Sequence, residues 1–139
     1  MDEALLAAYR ATDYRVRLAR GGWATIRIDQ PLPPALGALA EDHPWGFITA
    51  WNPRSEPSPR PRNRAALRDL LIALRVLPET VAIRPARGVG SDGQWKEPSL
   101  WVVGPDVSTL DPLARRFRQI GYVHGQGAAP ARLRLVSLA

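Results

Sequence analysis

Two periodicities divide this chain. From residue 14, Tyr14, Val16 and Leu18 alternate with Arg15 and Arg17; beyond Gly21-Gly22, Ala24, Ile26 and Ile28 alternate with Thr25 and Arg27. A period of two around a glycine turn predicts a hairpin of two half-buried strands. Ahead of it, residues 2–10 set Ala4, Leu5, Ala8 and Tyr9 on one side, which predicts a short helix. The proline-punctuated stretch 31–43 leaves room for another at 35–41.

From residue 45 the pattern changes. Residues 45–51 are apolar at both phases, as in a central strand covered on both faces. The proline-rich segment 56–61 is a loop. Asn63 is a good helix N-cap, and Leu67, Leu70, Leu71, Leu74 and Leu77 follow at helical spacing, closed by Pro78. Residues 81–87 and 99–103 predict strands on either side of a turn at 88–93. A second helix runs from a cap at Ser108 or Asp111 to Gln119, with Pro112 in its first turn and Leu110, Leu113, Ala114 and Phe117 as its apolar stripe. Short strands at 122–124 and 132–135 end the chain. The expected fold is α+β, one small domain over 1–139. Its sheet is mixed and mostly antiparallel, with two main helices on one face. The order β-α-β-β-α-β from about residue 45 is ferredoxin-like, with a helix and hairpin in front.

Composition narrows the chemistry. The chain has 139 residues, 45% hydrophobic and 23% charged, which suits one domain with a real core. It has no cysteine, so disulfides, thiolate metal sites and cysteine nucleophiles are excluded. No apolar run approaches a membrane span, and residues 1–10 lack the marks of a signal peptide, so the cytoplasm is the expected compartment and no membrane the expected partner. Net charge is +6, and 18 of the 19 basic side chains are arginine. Arginine suits recognition of phosphate and carboxylate; the same skew arises from a GC-rich coding bias.

The candidate chemistry is sparse. Gly88-Val89-Gly90-Ser91-Asp92-Gly93 matches G-x-G-x-x-G, but Pro98 leads into a strand where a dinucleotide site needs a helix, so a hairpin connection is expected and no cofactor. His43 and His124 are the only histidines, with no metal-ligand spacing, so no metal site is expected. Asn52, Arg54 and Ser55 follow the central strand as a polar cluster that also reads as ordinary turn chemistry. Glu97, beside Trp95 at the mouth of the 99–103 strand, is a candidate for a raised pKa and acid–base work. Gln119 ends the second helix. Arg15, Arg17, Arg27, Arg132 and Arg134 occupy polar phases of strands; as neighbours they would form a basic face able to follow a nucleic-acid backbone.

The segment from Trp45 onward resembles a bacterial family known as domain of unknown function 3293. The residues that carry the resemblance are Phe47-Ile48-Thr49-Ala50-Trp51-Asn52-Pro53-Arg54-Ser55, Asn63 with its leucine-rich helix, Gly88, Gly93, Trp95, Glu97-Pro98-Ser99, and Phe117 with Gln119. Two positions depart from the family pattern: Arg62 stands where an acidic residue is usual, and Arg118 where glycine is usual. The resemblance implies a small bacterial α+β domain and supplies no activity, cofactor or catalytic residue. The expected site is a pocket for a small anionic ligand formed by Asn52, Arg54, Ser55, Asn63, Trp95, Glu97 and Gln119. Arg54 would clamp the anion. The alternatives are an enzyme with Glu97 as acid or base and Arg54 as anion stabiliser, or a nucleic-acid-binding domain using the strand arginines.

Overall fold

The computed structural model describes residues 2–136. Helix α1 (Glu3–Ala11) leads into the hairpin β1 (Asp13–Arg17) and β2 (Trp23–Ile26), then α2 (Pro34–Ala40) and β3 (Pro44–Ile48). A single 3-10 turn (Pro53–Ser55) precedes α3 (Arg60–Arg75), β4 (Ala82–Val89), β5 (Lys96–Val103), α4 (Val107–Arg116), β6 (Gly121–Gln126) and β7 (Arg132–Leu135). The architecture is α+β. The strands form one seven-stranded sheet in the order β2-β1-β4-β5-β3-β6-β7. Every pair is antiparallel, so the sheet is not mixed.

The central strands read correctly as two-sided, because each face of the sheet has its own core. On one face Tyr14, Val16, Ile26, Trp45, Phe47, Trp101 and Val123 pack with Leu36 and Ala40 of α2. On the other, Ile48, Leu100 and Val102 pack with Leu70 and Leu74 of α3 and Leu110 and Ala114 of α4. Phase alternation along β3 and β5 assigns neighbouring residues to opposite cores. The sheet curls around the first core until its ends meet. The Asp29 N–H donates to Ala131 O at 2.8 Å, and the Ala131 N–H donates to Gln30 O at 2.9 Å.

Two helix starts differ from expectation. Helix α3 begins at Arg60 with Pro59 at the N-cap, so Asn63 lies inside the first turns rather than capping them. Proline with its fixed φ is tolerated in a first turn, which is why Arg60-Pro61 can open this helix. Helix α4 is capped by Asp106, whose side chain accepts from the Ser108 N–H at 3.0 Å. Asp111 is instead buried inside α4, accepting from the Tyr122 hydroxyl at 2.6 Å and from Arg134 Nη2 at 2.6 Å, which ties α4 to β6 and β7. Pro112 lies beyond the first turn, inside α4.

Gly125 permits the packing of one of the two buried tryptophans. A Cβ there would stand 2.6 Å from Trp45 Cζ2, and Trp45 is buried with its indole N–H donating to Gly127 O at 3.1 Å. Gly125→Ala is expected to lower stability by about 1–3 kcal/mol through overpacking. In a Trp45→Phe background the same change should cost less, by at least about 0.5 kcal/mol. Urea unfolding of the four proteins checks this; strictly additive costs would show that the indole is not what Gly125 accommodates.

Candidate functional site

A cavity of about 360 Å³ lies between α1 and the sheet face that holds Tyr14 and Phe47. Its floor follows from strand register. Tyr14 on β1 faces Gly88 on β4, and Gly88 faces Glu97 on β5, so the three share one row and one face. The middle member has no side chain, which leaves a gap between a tyrosine and a carboxylate. The glycine is not needed for its conformation: a Cβ would meet Thr12 and Trp95 only at 3.6 Å, an ordinary contact. The role of Gly88 is the space it leaves.

Helix α1 roofs this gap with Leu5, Ala8 and Tyr9. None of its residues is fully buried, so its apolar side faces the cavity rather than a packed core. Its C-terminal end is pinned: the Tyr14 hydroxyl donates to Tyr9 O at 2.6 Å, and the Thr12 hydroxyl to Ala8 O at 2.6 Å. The Tyr9 hydroxyl faces Ser55 and the backbone of Gly121. Trp95, 45% exposed, stands at the rim. The β4–β5 connection that carries it is a hairpin. Asp92 Oδ1 accepts from the Gln94 N–H at 2.9 Å, and the Gly90 N–H donates to Trp95 O at 2.8 Å. The glycine motif therefore joins two strands.

The segment after β3 supplies the polar end. Asn52 adopts a left-handed φ of 45°, a conformation asparagine tolerates better than most residues. Asn63 holds it there: the Asn52 N–H donates to Asn63 Oδ1 at 2.9 Å, and Asn63 Nδ2 donates to Asn52 Oδ1 at 2.8 Å and to Ser58 O at 3.1 Å. This paired contact accounts for the burial of Asn63. Gln119 Nε2 donates to Trp51 O and Phe117 O, both at 3.2 Å, which fastens the end of α4 to the same turn. The Arg54 N–H donates to Arg118 O at 2.7 Å.

Five of the seven expected residues, Asn52, Ser55, Trp95, Glu97 and Gln119, line the cavity together. Asn63 stands behind Asn52, outside the lining. Arg54 is also outside the lining and its residue is exposed, because positive φ at Asn52, Arg54 and Ser55 turns the chain sharply there. Among the described residues no lysine or arginine lines the cavity, so the anion clamp expected of Arg54 is not placed on it. Sequence reasoning missed Tyr9, Tyr14 and Gly88. The register of the β4–β5 hairpin was the one available signal and aligns Gly88 with Glu97; the pairing of Tyr14 with Gly88 joins β1 to β4 across the chain and has no local signal.

Glu97 is the distinctive group. Its carboxyl is half-buried and has no hydrogen bond or ion pair among the described residues. Burial pushes its pKa up to about 8. Burial, and next the Glu97 charge, raises that of Tyr9; burial, and next Tyr9, raises that of Tyr14. Among the described residues no cluster of three or more His, Cys, Asp and Glu side chains could hold a metal ion.

The strand arginines are divided. Arg27 pairs with Asp13 at 2.6 Å, Arg132 with Asp29 at 2.7 Å and Arg134 with Asp111 at 2.6 Å. Arg132 and Arg134 lie on β7, at the other end of the strand order from the hairpin. Arg17 and Arg87 stack on Trp23, at 5.5 and 4.5 Å from its ring centre.

This geometry defines a small α+β protein whose curled sheet and first helix enclose an amphipathic cavity beside the unpaired Glu97 carboxyl. The family described as Protein of unknown function (DUF3293) matches residues 48–120, and the chain belongs to it. The match contains the Asn52, Asn63, Gly88, Trp95, Glu97 and Gln119 side of the cavity; the α1 and β1 wall lies outside it. No curated protein and no solved structure matches the chain. Among the described residues no helix is long and apolar enough to cross a membrane.

The Glu97 proton makes stability pH-dependent. Unfolded, Glu97 ionises near the ordinary value of about 4.3; folded, it keeps its proton to about 8. Between these values the folded protein binds more protons than the unfolded chain, so this group's contribution falls as pH rises through the window and levels off above it. Glu97→Gln should therefore match wild type near pH 4 and become progressively more stable relative to it towards pH 8, by at most about 1.4 kcal/mol per pH unit. Denaturation midpoints of both proteins across the window measure this; parallel pH profiles would contradict it.

Proposed function

We propose that this protein binds a small molecule in the cavity beneath α1, with Glu97, Asn52 and Gln119 as its polar contacts and Tyr9, Tyr14 and Trp95 as its walls. The observation that carries the reading is the convergence of these groups on one enclosed space with an unpaired carboxyl inside it. A volume of about 360 Å³ lies in the range of small-molecule sites, which combine apolar walls with a few polar groups. Most hydroxyls of the lining are engaged internally, so the cavity is preformed rather than assembled by a ligand. Acid–base catalysis by Glu97 keeps its proton donor in this arrangement but not its anion stabiliser, since Arg54 is outside the lining. A nucleic-acid surface is supported only by the Arg17–Trp23–Arg87 stack, because carboxylates occupy Arg27, Arg132 and Arg134.

A panel of neutral aromatic and aliphatic fragments should raise the melting temperature and shift backbone amide resonances at Tyr9, Gly88 and Trp95. Gly88→Leu, which fills the gap without a backbone clash, should abolish both effects while remaining folded. Fragment shifts elsewhere, or shifts that survive Gly88→Leu, would move the site away from this cavity.

A further inference from the structure

We propose that the molecule taken by this cavity carries a protonated amine, with the ammonium on the Glu97 carboxylate and an apolar body between the Tyr9, Tyr14 and Trp95 rings. The inference rests on the cavity being a ligand site and adds the charge of what fills it.

Three observations carry it. The first is the sign of the lining: it contains the carboxylates of Glu97 and Asp92 and no lysine or arginine, although the chain as a whole has a net charge of +6. A lining that carries carboxylates without a basic side chain, in a chain with an excess of basic residues, favours a cation within it and leaves an anion without a counter-charge.

The second is the inventory of free hydrogen-bonding groups. Thr12 and Tyr14 donate their hydroxyls to backbone carbonyls at 2.6 Å, Thr49 to Pro98 O at 2.7 Å, and Ser99 to Glu97 O at 3.0 Å. The Tyr122 hydroxyl donates to Asp111 at 2.6 Å. Gln119 bonds through its nitrogen to Trp51 O and Phe117 O, which leaves Oε1 as an acceptor. Asn52 keeps its Nδ2 as a donor, because its Oδ1 is taken by Asn63 and Ser58; the unpaired Glu97 carboxyl and Gln119 Oε1 are the acceptors, which an ammonium with three donors would satisfy.

The third is the aromatic wall. Tyr9, Tyr14 and Trp95 border the same space as Glu97, and ring faces attract cations within about 6 Å of their centres. A carboxylate with aromatic neighbours suits a cation with an apolar body better than a strongly hydrated anion.

Proton linkage follows. The titratable groups of the cavity beside Glu97 are, among the described residues, Tyr9 on α1, Tyr14 on β1, Tyr122 on β6 and Asp92 in the β4–β5 turn. The tyrosines are held neutral by burial, so the charge change near neutral pH belongs to Glu97. An arriving ammonium displaces the Glu97 proton to solvent, and amine affinity rises with pH.

The test is isothermal titration of the full chain with phenethylamine, phenethyl alcohol and phenylacetate, using wild type, Glu97→Gln and Gly88→Leu. The amine should bind wild type about tenfold or more tighter than the alcohol, with phenylacetate weakest. Amine affinity should rise by about tenfold or more from about pH 6 to about pH 8 while that of the alcohol stays level. Glu97→Gln should remove the amine preference and the pH dependence, and Gly88→Leu should remove binding altogether. If the alcohol binds as well as the amine, or phenylacetate binds best, or Glu97→Gln keeps the preference, the amine assignment is overturned while the cavity remains a ligand site. If none of the three binds wild type, both conclusions fall.

Discussion

An unpaired carboxyl set into a protein wall is the constraint around which this structure is organised. Burying a charged carboxylate without a partner is strongly unfavourable, and the group responds by keeping its proton. Glu97 is in that position because β5 carries it on the same face as the buried Trp101 and Val103, facing the curled interior of the sheet. Had Arg87, its neighbour across the β4–β5 pair by one step, shared that face, an ion pair would have held the pKa down. Strand alternation sends Arg87 to the opposite face, where it stacks on Trp23.

The rest of the site holds this arrangement open. Gly88 leaves space beside the carboxyl, Tyr14 stands across it, and α1 closes the top without sinking into the core. On the far side, Asn52 is fixed by three hydrogen bonds: the side chain of Asn63 gives and receives, and the Ser58 N–H donates at 3.1 Å. That network joins the turn after β3 to the first turns of α3, while Gln119 joins the same turn to the end of α4. Two helices that pack on one face of the sheet thus fix polar groups that open onto the other. This is preorganisation in the ordinary sense: the groups are oriented before a ligand arrives, so less freedom is lost on binding.

The order of elements and the two-sided character of β3 and β5 were legible in the sequence, because period and burial are local signals. That Asn52, Ser55, Glu97 and Gln119 come together in space was legible as well. What sequence alone misassigned depended on geometry. Asn63 looked like a helix cap because asparagine caps helices, yet Pro59 and Pro61 let α3 start earlier and freed Asn63 to pair with Asn52. Arg54 looked like a clamp because it sits beside Asn52, yet left-handed backbone at three neighbouring positions takes it out of the cavity. Tyr9 was placed on the apolar side of α1, but nothing local shows that this side would cover a cavity rather than a core. Arg27, Arg132 and Arg134 shared polar phases with Arg15 and Arg17, but the carboxylates that pair with them, Asp13, Asp29 and Asp111, are not written in alternation.

The most direct test of the account is the ionisation of Glu97 itself, followed through its side-chain carboxyl carbon by NMR in the ligand-free protein. The structure predicts a midpoint at about 8, well above the ordinary carboxylate range, because the carboxyl is buried and unpaired. A midpoint below about 5 would mean that Glu97 is solvated or paired, and would contradict the central claim.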